Sequence, residues 1–91
     1  MKYFAVFLPM KDEEKSREQR PAHLEFLAQK REAKQAVMFG RFVDGAGGLV
    51  IYQGESLEQV ESWVKEDPYV ASGARGYEIH EWEIAAMDIH K

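Results

Sequence analysis

Two residues far apart in the chain have the types needed for proton-transfer chemistry. His23 follows Arg20-Pro21-Ala22, with Phe26 and Leu27 as its i+3 and i+4 neighbours. On a helix it therefore borders the buried face. Near neutral pH an imidazole can both accept and donate a proton. The plainer reading is a half-buried histidine satisfied by a backbone carbonyl. Asp67 precedes Pro68 at the end of a helical pattern. A carboxylate there faces the negative end of a helix dipole. It also suits the N-cap of a short helical turn, with Pro68 at the first helical position and Gly73 beyond the end. If the two side chains meet, the carboxylate fixes the imidazole tautomer, and the ring can serve as general base or acid. Spacing alone leaves their meeting open.

Other side chains offer supporting chemistry. Arg20 and Arg41 could hold an anionic group in bidentate fashion, or stand on the surface. Tyr69 could donate a hydrogen bond or simply pack. His80 and His90 could join His23 and carboxylates around a metal, but no recognised ligand spacing supports this. No dinucleotide fingerprint, P-loop or G-x-S-x-G turn occurs. Gly45-Ala46-Gly47-Gly48 joins two strand-like runs, which fits a hairpin turn better than a phosphate cradle. The expectation is an activity without metal or cofactor.

The elements that must position these residues fit one domain, because 91 residues suffice for one and are too few for two. Such a chain buries only about 60–65% of its unfolded surface, so a subunit partner would add stability. Net charge is −4, which argues against a nucleic-acid binder needing a basic face. Lys30, Arg31 and Lys34 are interleaved with Glu25 and Glu32, and read as a solvated helix face. The absence of cysteine removes disulfides, thiolate chemistry and cysteine-bound metal, and fits a cytoplasmic protein. Tyr3 to Met10 is followed at once by Lys11-Asp12-Glu13-Glu14, unlike a signal peptide, and no apolar run approaches a membrane span.

Lys2 to Leu8 reads as a first strand, closed by Pro9. Residues 12–20 are nearly all polar and read as an exposed loop or solvated first turn. Pro21 fits the first turn of a helix that runs to about Lys34 through Leu24, Leu27, Ala28 and Arg31. Val37 to Val43 and Leu49 to Tyr52 read as a hairpin around Asp44-Gly45-Ala46-Gly47-Gly48. Ser56, with Gln59 three residues on, caps a second helix carrying Leu57, Val60 and Val64. Asp67-Pro68 ends it. Tyr77 to Ile84 reads as the fourth strand, and 85–91 as a tail. The order β-α-β-β-α-β predicts an α+β, ferredoxin-like domain over residues 1–91, with two helices on one face of a four-stranded antiparallel sheet.

Both faces of the strands are apolar. Tyr3, Ala5 and Phe7 alternate with Phe4, Val6 and Leu8, and Met38 and Phe42 with Val37, Phe39 and Val43. Helices cover one face only, and soluble monomers rarely expose the other. Packing against a second copy is the expected remedy, with a folded-back tail as the rival.

Certain motifs resemble a known family. Arg20-Pro21-Ala22-His23-Leu24 with Phe26-Leu27 looks like the R-P-x-H-L motif of YciI-like (YCII-related) proteins. Asp67-Pro68-Tyr69-Val70-Ala71-Ser72-Gly73 looks like that family's D-P-[YF]-x-x-x-G motif. Ser56-Leu57-Glu58 and Tyr77 to Trp82 resemble its second helix entry and last strand. Gly40 matches its glycine near the end of strand two. The family often follows that glycine with proline, whereas Arg41 stands here, and the hairpin is short. Both differences bear on the pocket wall.

The resemblance implies a dimeric α+β barrel and a pocket in which His23 and Asp67 meet as a catalytic pair. Gly40 joins Arg20, Arg41 and Tyr69 as the substrate-binding candidates. One member of the family acts as a dehydrochlorinase in chloroaromatic degradation, and the fold is similar to muconolactone isomerases. The functional expectation is therefore a small cytoplasmic lyase- or isomerase-type enzyme. Its partners would be a small anionic ligand and a second copy of itself, with no nucleic acid and no membrane. The alternatives are a non-catalytic dimeric module binding a small ligand or protein, and a monooxygenase-type barrel.

Overall fold

A computed structural model describes residues 1–87 of the chain. The elements are β1 (Lys2–Pro9), α1 (Glu13–Glu32), β2 (Ala36–Arg41), β3 (Gly47–Gly54), α2 (Leu57–Glu66), α3 (Pro68–Ala71) and β4 (Glu78–Trp82). The four strands form one antiparallel sheet in the order β2-β3-β1-β4. This is the predicted ferredoxin-like α+β arrangement, with the short α3 added after α2. His90 and the last part of the expected tail, 88–91, lie outside the described residues.

Alternation along β1 divides the sheet into two faces. Phe4, Val6 and Leu8 are buried and stand opposite Tyr52, Val50 and Gly48 of β3. Against this face pack Leu27 from α1, Val60 and Val64 from α2, and Tyr69 from α3. Each such side chain removed from water contributes about 1.5–3 kcal/mol, so this layer holds the helices on the sheet. Tyr3, Ala5 and Phe7 point the other way, beside Ile51, Leu49, His80 and Trp82. Trp82, Ile84, Ala86 and Met87 border a cavity of about 200 Å³ together with Val37, Met38 and Ile51. The chain after β4 thus turns back over part of this second face, as the folded-tail reading expected. Met38, Phe42 and Met87 remain exposed.

The main departure from the sequence reading is the start of α1. The helix begins at Glu13, eight residues before Pro21, and Pro21 lies in its interior. Asp12 caps it by accepting from the Lys15 N–H at 3.0 Å, and Glu13 and Glu14 favour the positive end of the dipole. Pro21 has no N–H to give the Arg17 carbonyl, a loss that the cap and packing of a 20-residue helix outweigh. The helix ends at Glu32, before Lys34, which adopts φ 64° at the exit. β2 also differs. A bulge between Ala36 and Met38 leaves Val37 as the extra residue. Beyond Arg41 the chain leaves the sheet, so Val43, expected in the strand, is fully in the turn and exposed. β3 is longer than expected at both ends, and β4 shorter. Ser56 caps α2 as predicted, accepting from Gln59 N–H at 3.2 Å, while the Gln59 side chain accepts from Glu55 N–H at 2.8 Å.

Gly47 starts β3 at φ 143°, where an added Cβ would fall 2.1 Å from the Leu8 carbonyl oxygen. No side chain fits there without parting β3 from β1. Gly47→Ala is expected to destabilise the fold by more than about 2 kcal/mol, read as a lowered urea midpoint; a midpoint equal to wild type contradicts this account of the hairpin.

Candidate active site

The extended α1 presents Ser16, Arg20, His23 and Leu27 along one stripe, at helical spacing. Ser16, His23 and Leu27 are buried against the sheet. At the other side of the helix layer the chain breaks between α2 and α3. Asp67 ends α2, its N–H donating to the Val64 carbonyl at 3.1 Å. Pro68 keeps Asp67 out of the helical region, at φ −59° and ψ 126°. That conformation makes Asp67 the N-cap of α3, its Oδ1 accepting from the Tyr69 N–H at 2.9 Å.

The same oxygen faces His23. His23 Nδ1 lies 2.8 Å from Asp67 Oδ1, with the aspartate 1% exposed and the histidine 8% exposed. The capping and pairing readings of Asp67 are therefore both realised by one oxygen. Because a carboxylate accepts, Nδ1 is the donating nitrogen. Nε2 makes no hydrogen bond among the described residues and carries the free lone pair of the neutral ring. Tyr69 stacks on the imidazole, with centroids 3.8 Å apart and planes 17° from parallel. This fixes the ring orientation as the carboxylate fixes its tautomer.

His23 opens onto a cavity of about 170 Å³. Arg20, Arg41, Gly40 and Tyr69 all line it, so the structure brings every candidate binding residue to the histidine, with Asp67 behind it. Apolar walls come from Leu8, Leu24, Leu27, Phe39 and Val50. His80 points to the opposite face of the sheet, 3.6 Å from Glu78. Among the described residues no group of three or more histidines and acids is placed to hold a metal.

The YCII-related domain pattern matches residues 1–83. The chain belongs to the YCII family. It is 35% identical over 82 residues to the uncharacterized protein YjpA of Bacillus subtilis (strain 168), covering 90% of this chain and 96% of that one. Its fold is similar to that of the 5-chloro-2-hydroxyhydroquinone dehydrochlorinase of Burkholderia phenoliruptrix AC1100, solved in complex with 2,5-dihydroxybenzoquinone. The TM-score is 0.77 at 19% identity, over 89% of this chain and 93% of the neighbour.

In this YCII chain the site also contains residues that sequence reasoning missed. Arg75 is 7% exposed, with its guanidinium carbon 4.3 Å from the centroid of the Tyr69 ring. Its Nε donates to Ser16 Oγ at 3.1 Å, and Nη1 reaches the Leu8 carbonyl at 3.5 Å. Arg75 is placed by an isolated bridge to Met10, a long-range pairing with no local signal. Tyr52, in β3, is the other. Its hydroxyl and Asp67 Oδ2 are both buried without a hydrogen-bond partner among the described residues. Burial, and after it the Asp67 charge, raises the Tyr52 phenol well above its ordinary 10.0. Below pH 10 the folded and unfolded chains both keep this proton. Above it the unfolded chain releases its proton first, so stability falls as pH rises. Tyr52→Phe is expected to flatten that alkaline loss in unfolding measured from pH 9 to 11, and to leave neutral stability unchanged or higher by about 1 kcal/mol. An unaltered alkaline slope contradicts the assignment to Tyr52.

Proposed function

We propose that this YCII protein is a small-molecule acid–base enzyme of lyase or isomerase type. The carrying observation is the 2.8 Å His23–Asp67 contact, with the imidazole opening onto an arginine-lined cavity. His23 Nε2 takes a proton from a carbon beside a carbonyl. The C–H bonding pair moves into an enolate, whose negative oxygen is held by the guanidinium of Arg20, Arg41 or Arg75. The imidazolium, held by Asp67, then returns the proton to another carbon, which isomerises the substrate. In the lyase variant the enolate instead expels a leaving group with its bonding pair, and the imidazolium gives its proton to that departing group or to water. Asp67 makes no contact with the substrate; it positions the ring and stabilises its charged form during transfer. The similar fold of the dehydrochlorinase supports a ring-sized, hydroxylated or unsaturated anion as substrate. The apolar cavity walls accept the ring, and the arginines its charge.

The experiment is solvent-deuterium exchange into a panel of small keto acids, unsaturated carboxylates and chlorinated hydroxyquinols, followed by NMR. Wild type is expected to catalyse exchange into at least one compound. His23→Gln and Asp67→Asn should reduce it by about 10²–10⁴-fold. Asparagine still caps α3, so Asp67→Asn should stay folded by circular dichroism. Compounds that bind at His23 without exchanging would overturn the enzyme reading and favour a ligand-binding module.

We propose further that a second copy covers the sheet face bearing Met38 and Phe42. The support is that these apolar side chains remain exposed beside the turned-back chain. Light scattering in solution is expected to give twice the 10.5 kDa chain mass, and Met38→Glu the single mass. A wild-type monomer at micromolar concentration rules the pairing out.

A further inference from the structure

The cavity at His23 does not end at the arginines. A second cavity, of about 380 Å³, shares Arg20, Arg41, Tyr69 and Arg75 with the first and continues beside the β2–β3 turn. Its remaining α1 residues are Glu13, Ser16 and Arg17. These extend the stripe of Arg20 and His23 back towards the start of the helix, so one face of α1 runs the length of both cavities. At about 1.5 Å per residue, Arg17 lies some 9 Å from His23 along the helix axis.

Charge is concentrated here against the balance of the chain. The protein carries −4 overall and has five arginines. Arg17, Arg20, Arg41 and Arg75 line the groove, while Glu13 is the acidic residue on its wall. Among the described residues none of these four arginines is ion-paired; the ion pairs there are His23–Asp67 and His80–Glu78. Arg75 is buried as well, with a hydroxyl, a carbonyl and an aromatic ring as its neighbours. Burying a guanidinium without a counter-charge is unfavourable. A single carboxylate at the His23 end satisfies one fork of donors. It leaves Arg17 and the second cavity unmatched.

We propose that the groove binds an elongated dianion, with one anionic group beside His23 and a second one between Arg17 and Arg41. This deepens the enzyme reading by naming its substrate class, and it rests on that reading only for the role of His23. The distance along α1 fits a molecule whose two charged ends are separated by a small ring or a short carbon chain. Arg75 and Arg20, common to both cavities, lie between the two ends.

The test is a binding titration that needs no turnover. Adipate and hexanoate have six carbons each and differ in the second carboxylate. Isothermal titration and NMR shift mapping at fixed ionic strength give their affinities. Adipate is expected to bind at least tenfold more tightly than hexanoate. Arg17→Gln should lower adipate affinity at least fivefold and leave hexanoate unchanged. Arg31→Gln, which removes the same charge outside the groove, should leave both unchanged. Equal affinity for the two acids, no binding of either at tens of millimolar, or equal losses in the Arg17 and Arg31 variants would overturn the proposal. Tight adipate binding in a protein that exchanges no proton would leave the dianion site standing and remove the enzyme reading alone.

Discussion

Asp67 Oδ1 sits almost out of water and accepts two hydrogen bonds, one from His23 in α1 and one from the backbone of Tyr69 in α3. A carboxylate buried this deeply is tolerated only when its partners are in place. Several features of the fold meet that demand together. Pro68 breaks the α2 path so that Asp67 can point towards α1, and α3 supplies the N–H. The rotation of α1 about its axis brings His23, rather than Glu25 or Arg20, to the oxygen. The interaction joins residues 44 apart in sequence, and so fixes the two halves of the helix layer relative to each other. Structure and candidate chemistry depend on the same contact. Removing the histidine leaves a buried acceptor charge, and removing the aspartate frees both the ring and the α3 cap.

A second layer of order builds outward from Tyr69. Its backbone satisfies Asp67, and its ring carries His23 and the Arg75 guanidinium. Arg75 in turn donates to Ser16, about two turns of α1 before the histidine. The result is a closed path from α1 through α3 and the following bridge back to α1. Stacked aromatic and guanidinium planes have few rotamers to lose, so they hold geometry at low entropic expense. The mouth of the cavity is different. Arg20 and Arg41 are exposed, and Gly40 and Arg41 lie on β2, an edge strand. The floor of the cavity is thus held rigidly, while the charge at its rim can adjust.

β1, the hairpin, the Ser56 cap of α2 and the order of elements along the chain were legible because each has a local signal: alternation, glycine turns, a capping hydroxyl. The beginning of α1 was not. Its first two turns lack apolar residues, and Pro21 imitates a start signal, so only Asp12 and the acid pair after it betrayed the true cap. That error hid Arg17, because the stripe it shares with Arg20 and His23 exists only if the helix runs from Glu13. The bulge at Val37 was equally hidden, since it is set by pairing with β3 and not by the run of β2 itself.

By itself, then, the chain determined the element types, the ferredoxin-like order and the two motifs that mark it as a YCII protein. Periodicity and capping are properties of neighbouring residues, and a sequence displays its neighbours. Tertiary structure alone decided that His23 meets Asp67, that one Asp67 oxygen serves both cap and ring, and that Arg75 and Tyr52 flank the pair. Those outcomes depend on crossings between α1, α3 and the sheet, over separations at which no pattern of spacing carries distance. His23 was singled out for its chemistry. It became half of a buried pair because the packing of α1 against α3 brings Asp67 within 2.8 Å of it.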